Sequence, residues 1–162
     1  EVLSWLLDGD DSSRLSRELV RGSEIAAGAS AGYDLYARSE NLFTLSGTPS
    51  NGHAPEQLEA ALREQVAALK IAPVSAAELK RVRNGVIAQQ VYQRDSMQYQ
   101  ATMLGRLVTV GLDWREADAY VDKVMSVTPD QIQAVARKYL TDDRLTVATL
   151  QPRTEGDSSD AG

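Results

Sequence analysis

Apolar residues recur along this chain at helical spacing far more often than at strand spacing. "EVLSWLL", Glu1 to Leu7, is amphipathic from its first residue, with no capping residue before it. Ser12 or Ser13 can cap a helix running to about Arg21. Leu58, Leu62, Val66 and Leu69 form one stripe behind Pro55, which suits a first turn. Ser75-Ala-Ala-Glu78 is a capping-box pattern opening a long helix, with Leu79, Val82, Val86 and Val91 as its stripe. Gly111 and Asp113 end the next helix, and the segment Asp113 to Glu116 can cap another. Thr128-Pro-Asp-Gln131 is a second capping box, with Pro129 at the first helical position. Ile132, Val135, Ala136, Tyr139 and Leu140 follow on one face.

Strand patterns are fewer. Ile25 to Ala37 and Asn41 to Thr48 flank the turn-like "RSEN" and read as a hairpin. Arg144 to Leu150, "RLTVATL", alternates Leu145 and Val147 with polar neighbours and reads as a returning strand. The first hairpin strand is unusual: Ala26 to Gly32, "AAGASAG", is all small residues where Val, Ile and Tyr are customary. Such a strand suits a place where another element packs close to the backbone. The element order predicts an α+β fold, with helices on one face of a mostly antiparallel sheet. Three strands are few for so many helices, and a first strand upstream of Glu1 would complete the count. Residues 1–151 are expected to form one domain, and the polar stretch 152–162 a disordered tail.

Composition narrows the chemistry. With 162 residues, 43% of them hydrophobic, the chain can build a core. Its net charge of -6 argues against a nucleic-acid partner. The absence of cysteine removes disulfides and thiolate chemistry without deciding the compartment. No apolar run has the length of a membrane span, and no signal-peptide pattern opens the chain. A catalytic zinc needs about three protein ligands. The one histidine, His53, lies in "SNGHAP" and fits a solvated turn better than a ligand or a triad member. "GASAG" lacks the lysine and the following helix of a phosphate loop. Asp8-Gly-Asp-Asp11 lacks the downstream glutamate of a calcium loop and reads as a polar turn. Lys80, Arg81 and Arg83 read as the wet face of a helix.

Three stretches, in order, carry a resemblance that spans Val2 to Pro152. They are "GDDSSRLSRELVRGSEIAAGASAGYDLY", "PVSAAELKRVRNGVIAQQVYQRDS" and "GLDWREADAYVDKVMSVTPDQIQAVARKYLTDDRLTVATLQP". Together they resemble the second domain of the pitrilysin/insulinase-type zinc peptidases, which include the mitochondrial processing peptidase. The resemblance implies one of two similar α+β domains in a half-clamshell, and a parent acting as a zinc-dependent endopeptidase. In that family, zinc is held by H-x-x-E-H in the other domain, with the glutamate as general base. It therefore implies no zinc in this chain and a zinc in an N-terminal domain of the parent.

The same family often carries, at the helix-strand junction, an arginine and a tyrosine seven residues later that contact substrate. Here those positions fall on Val20 and Ala27, and the family's glycine between them is Glu24. Arg21 is one place off, and a helix turns about 100° per residue, so it points elsewhere. No catalytic, substrate-binding or metal residue is assigned to this chain. The implied partners are the parent's N-terminal domain, a second half-shell subunit carrying the Arg/Tyr pair in a heterodimer, and a peptide substrate. The alternatives are an inactive structural or assembly homologue of that family, and an unrelated α+β binding module. Exported bacterial relatives imply a periplasmic location, with the cytoplasm or the mitochondrial matrix as alternatives.

Overall fold

Helix starts are local decisions, and most fall where the side chains place them. In the computed structural model, which describes residues 1–151, the elements run in chain order. Helix α1 spans Val2–Asp8, a π-helix Leu15–Val20, strand β1 Ala26–Tyr33 and strand β2 Phe43–Pro49. Then come α2 (Pro55–Ile71), α3 (Ala76–Arg94), α4 (Met97–Thr109), α5 (Glu116–Ser126), α6 (Pro129–Tyr139) and a 3-10 turn at Asp142–Arg144. The expected tail lies outside the described residues.

Thr128 caps α6 as expected: its Oγ1 accepts from the Gln131 N–H at 3.2 Å, and the Gln131 side chain accepts from the Thr128 N–H at 2.9 Å. The box at α3 is only half made. Ser75 Oγ accepts from the Glu78 N–H at 3.1 Å, but the Glu78 carboxylate turns away to take two N–H groups of Arg14, at 2.7 and 2.9 Å. A bidentate guanidinium is a stronger donor than one amide. Asp113 does not cap α5, whose N-cap is Arg115. Its Oδ1 instead accepts from the Arg115 N–H at 2.9 Å, a tight turn before the helix.

The short α1 is the centre of the core. Val2, Leu3, Leu6 and Leu7 are all buried, with Leu6 and Leu7 fully so. Burying each such leucine contributes about 1.5–3 kcal/mol. Around them pack Leu15 and Leu19, Leu58 and Leu69 of α2, Leu79, Val82 and Val86 of α3, Val124, and Ile132 and Ala136 of α6. Val91, expected on the α3 stripe, is 59% exposed because α3 outruns the core. The supposed wet face of α3 is also mixed. Arg83 donates to the Val127 carbonyl at 2.7 Å and ties α3 to the end of α5.

The two strands pair antiparallel and form one face for the core and one for solvent. Ala29↔Gly47, Ala31↔Leu45 and Tyr33↔Phe43 share the inner face, and Ala29, Ala31, Phe43 and Leu45 pack on the core. On the outer face Ser30 and Ser46 share a hydroxyl hydrogen bond of 2.7 Å. The close approach that small residues permit occurs on β2. A Cβ added at Gly47 would stand 2.9 Å from Leu58 Cδ2, whereas one at Gly28 meets nothing within 4 Å. The free edge of β1 is partly capped by α1: the Ala31 N–H donates to Asp8 Oδ2 at 3.1 Å.

Two expectations fail here for physical reasons. The segment at 145–150 forms no strand among the described residues, because β1 and β2 pair only with each other. Alternation of side chains without a ladder partner leaves Leu145 and Val147 exposed. The helix expected after Ser13 is present as a π-helix, but neither serine caps it: its N-cap is Arg14, and the Ser13 hydroxyl is used up donating to the Asp10 carbonyl at 2.6 Å. The fold is thus α+β, with helices on one face of an antiparallel hairpin.

Candidate functional site

Among the described residues, the junction between the π-helix and β1 combines π turns, a left-handed residue and a register shift. The Arg21 N–H donates to Ser16 O at 3.0 Å and the Ser23 N–H to Glu18 O at 2.9 Å, both five residues back. Such single π turns are frequent at functional sites. Glu24 follows with φ 54°, a left-handed conformation that glycine adopts without strain. The register then shifts between Ala26 and Gly28, so Ala27 is the extra residue of a β-bulge.

The bulge explains the burial pattern of the strand. Ala26 is buried, yet the inward residues further along are Ala29 and Ala31, of opposite parity. Ala27 itself is exposed. Val20 closes the π-helix and packs against the core. The two sequence-predicted positions therefore hold a core isopropyl group and an exposed methyl group, neither able to bind or transfer a proton. Arg21 does not replace them, since its guanidinium donates to the Asp11 carbonyl beside the first turn.

His53 lies in the turn after β2, its N–H donating to Ser50 O at 3.0 Å across Gly52, at φ 87°. Two carboxylates of the Asp8–Asp11 cluster accept backbone N–H groups. Asp8 caps the Ala31 N–H, and Asp10 Oδ1 accepts from the Ser12 N–H at 2.7 Å. Among the described residues no group of three His, Cys, Asp or Glu side chains could hold a metal ion. The donor set does not fit a zinc ion. No helix of the described residues is long and apolar enough to cross a membrane.

A cavity of about 430 Å³ was not legible in the sequence. It opens between the hairpin connection and helices α3, α4 and α5, lined in part by Tyr36, Gln89, Gln93, Tyr99, Arg106 and Tyr120. Arg106 forms an ion pair with Asp34, and Tyr120 Oη donates to Glu1 Oε1 at 2.7 Å. Burial pushes the Tyr36, Tyr99 and Tyr120 phenols above their ordinary range, and the Glu1 carboxylate adds to the effect. They remain neutral hydrogen-bonding groups at physiological pH. The two carboxylates of the lining are engaged within the molecule, Asp34 by Arg106 and Glu1 by Tyr120.

A family model described as the peptidase M16 inactive domain matches residues 1–86, which carry α1, the π-helix, the hairpin, α2 and the first half of α3. The chain belongs to this family. No curated protein matches this M16 inactive domain. Among solved structures, a protease from Helicobacter pylori superposes with a TM-score of 0.81 at 22% identity, covering 88% of this chain and 34% of that one. The M16 chain thus spans about a third of that protein's length. A "putative zinc protease" of Bordetella pertussis Tohama I matches with TM-score 0.75 and 22% identity, over 88% of this chain and 78% of its own. The "inactive peptidase domain" of a Bordetella parapertussis protein described in the same way gives TM-score 0.74 and 22% identity, over 96% and 83%. At this identity the three establish the shared fold.

Proposed function

We propose that this chain is the non-catalytic domain of a zinc-dependent endopeptidase and that it helps enclose a peptide substrate. The observation that carries the reading is the match of residues 1–86 to the inactive domain of the M16 peptidases. The apolar Val20 and Ala27 fit such a role. On this reading the metal and its general base come from an N-terminal domain of the parent. The substrate-contacting arginine and tyrosine come from a second half-shell subunit, and the assembly works in the bacterial periplasm.

The test isolates the native assembly from its source cells through an antibody to this chain, in parallel with the purified 162-residue chain. Zinc is measured by plasma mass spectrometry, and turnover on unfolded casein with and without a chelator. The expected result is zinc and chelator-sensitive turnover in the native assembly, with neither tight zinc uptake nor turnover in the isolated chain. Zinc-dependent turnover by the isolated chain would overturn the reading. A native assembly devoid of zinc and activity would do so too, and would favour an inactive structural homologue.

A further inference from the structure

The residues that join β1 to β2, 34–42, form a small closed unit of their own. Asp34 Oδ1 accepts from the Tyr36 N–H at 3.0 Å, and the Asp34 carbonyl accepts from Asn41 Nδ2 at 3.0 Å. Asn41 Oδ1 accepts from the Leu42 N–H at 2.8 Å. The two ends of the loop are thereby stapled together just where the ladder stops, at Tyr33↔Phe43. Little holds this unit to the rest of the molecule. Among the described residues its one polar tie is the ion pair of Asp34 with Arg106 of α4, whose side chains are 43% and 45% exposed. Every residue of the loop is exposed except Tyr36, which stands in the wall of the tyrosine-lined cavity.

We infer that this loop is a strap that opens and closes over the cavity, swinging as one body about the strand ends, with the Arg106–Asp34 pair as its latch. Phe43 packs on the core and fixes the ladder below the loop. Above it the internal hydrogen bonds keep the loop in one piece. Lids are drawn from such segments, which have few buried contacts and whose end residues absorb the change in backbone angles. The swing carries Asp34, Leu35 and Tyr36 away together and leaves Tyr99, Tyr120, Gln89 and Gln93 facing solvent. A cavity of about 430 Å³ becomes an open trough that admits a molecule too large for the closed form. The Tyr120–Glu1 hydrogen bond does not involve the strap, so this part of the lining stays in place. The latch has the strength that such a device needs. An exposed ion pair holds a loop only lightly and is screened by salt, whereas a fully buried pair would lock it.

The chain has no cysteine, so a single introduced thiol reads the movement. Gln93→Cys places it in the cavity lining on α3, and Tyr92→Cys, at a position 78% exposed, is the control. Both are labelled with the bulky disulfide reagent dithiobis(nitrobenzoate) at low salt. Arg106→Met removes the latch from α4. Asp34→Asn removes it from the strap while keeping an oxygen for the Tyr36 N–H. Each should speed labelling at position 93 by about two- to fivefold, the most that an exposed pair of up to about 1 kcal/mol gives. The two together should add nothing further, since they break one interaction. About 0.5 M sodium chloride should speed the chain with an intact latch and leave the unlatched variants unchanged. Hydrogen exchange of the Tyr36 and Leu42 N–H groups, bonded inside the loop, should not follow. Equal labelling with and without the latch overturns the inference. So does an equal rise in the Tyr92→Cys control, the sign of general loosening. Exchange at Tyr36 that quickens as much as labelling overturns it too, because the loop would then unravel rather than swing. The strap does not depend on the zinc-protease reading, and either can fail alone.

Discussion

Glu78→Gln keeps the shape of a side chain that holds the π-helix to α3 and removes its charge. In the native pair Arg14 Nε and Nη2 donate to the two Glu78 carboxylate oxygens at 2.7 and 2.9 Å. The side chains are only 15% and 12% exposed. Exposed ion pairs contribute about 0–1 kcal/mol, and breaking a fully buried pair costs about 3–5 kcal/mol. This pair lies between those limits, and one amide oxygen survives as an acceptor in the variant. The expected loss is about 2 kcal/mol, which for a chain of this length lowers the melting temperature by about 4–8 °C. Urea unfolding followed by Trp5, which packs against the core, reads it directly.

The pH dependence carries the sign. Hydrogen bonding from Arg14 holds the Glu78 carboxyl below its ordinary range, outweighing the opposing effect of burial. The unfolded chain thus binds a proton there more readily than the native one. The pair's contribution is complete above the unfolded value and is lost as pH falls through the folded value. Wild type should lose this increment on acidification from about pH 5 downward, and Glu78→Gln should not. A cycle with Arg14→Met should give a coupling of about 1–3 kcal/mol. Additive single effects, with the same acid slope in all variants, would refute the reasoning.

Three other substitutions probe the junction, the sheet and the core. Glu24→Gly relieves a left-handed conformation costing about 1–2 kcal/mol against the added flexibility of glycine. It should stabilise by about 0.5–1 kcal/mol, and Glu24→Ala, which keeps a Cβ there, should show no gain in the same melts. Gly47→Ala should cost about 1–3 kcal/mol by pressing a Cβ on Leu58, while Gly28→Ala, facing open space, stays within about 0.5 kcal/mol. Equal midpoints for both variants would remove the close contact at Gly47 from the account. Leu7→Ala, at a fully buried site in α1, should lose about 2–5 kcal/mol in urea titration. A smaller loss would mean that α1 is not the centre of the core.

What could be read from the chain alone was decided within one or two turns of backbone. Thr128 caps α6 because its partner Gln131 is three residues away. Pro55 opens α2 because its missing N–H is not needed there. The small residues between Ala26 and Gly32 did mark an unusual strand, and three ordered motifs marked the family. Tertiary structure decided whatever depends on a distant partner. Glu78 had a local role in a capping box and lost half of it to Arg14, 64 residues away, a competition no short window contains. Leu145 and Val147 alternate correctly, yet a strand exists only when another backbone accepts its hydrogen bonds. The π turn, the left-handed Glu24 and the bulge at Ala27 are likewise set by fitting β1 to Pro49, Thr48 and the core rather than by intrinsic preference. The tyrosine-lined cavity draws on five separate segments: the first residue, the hairpin connection, α3, α4 and α5. Local propensity determines where helices begin, and only packing determines which side chains meet.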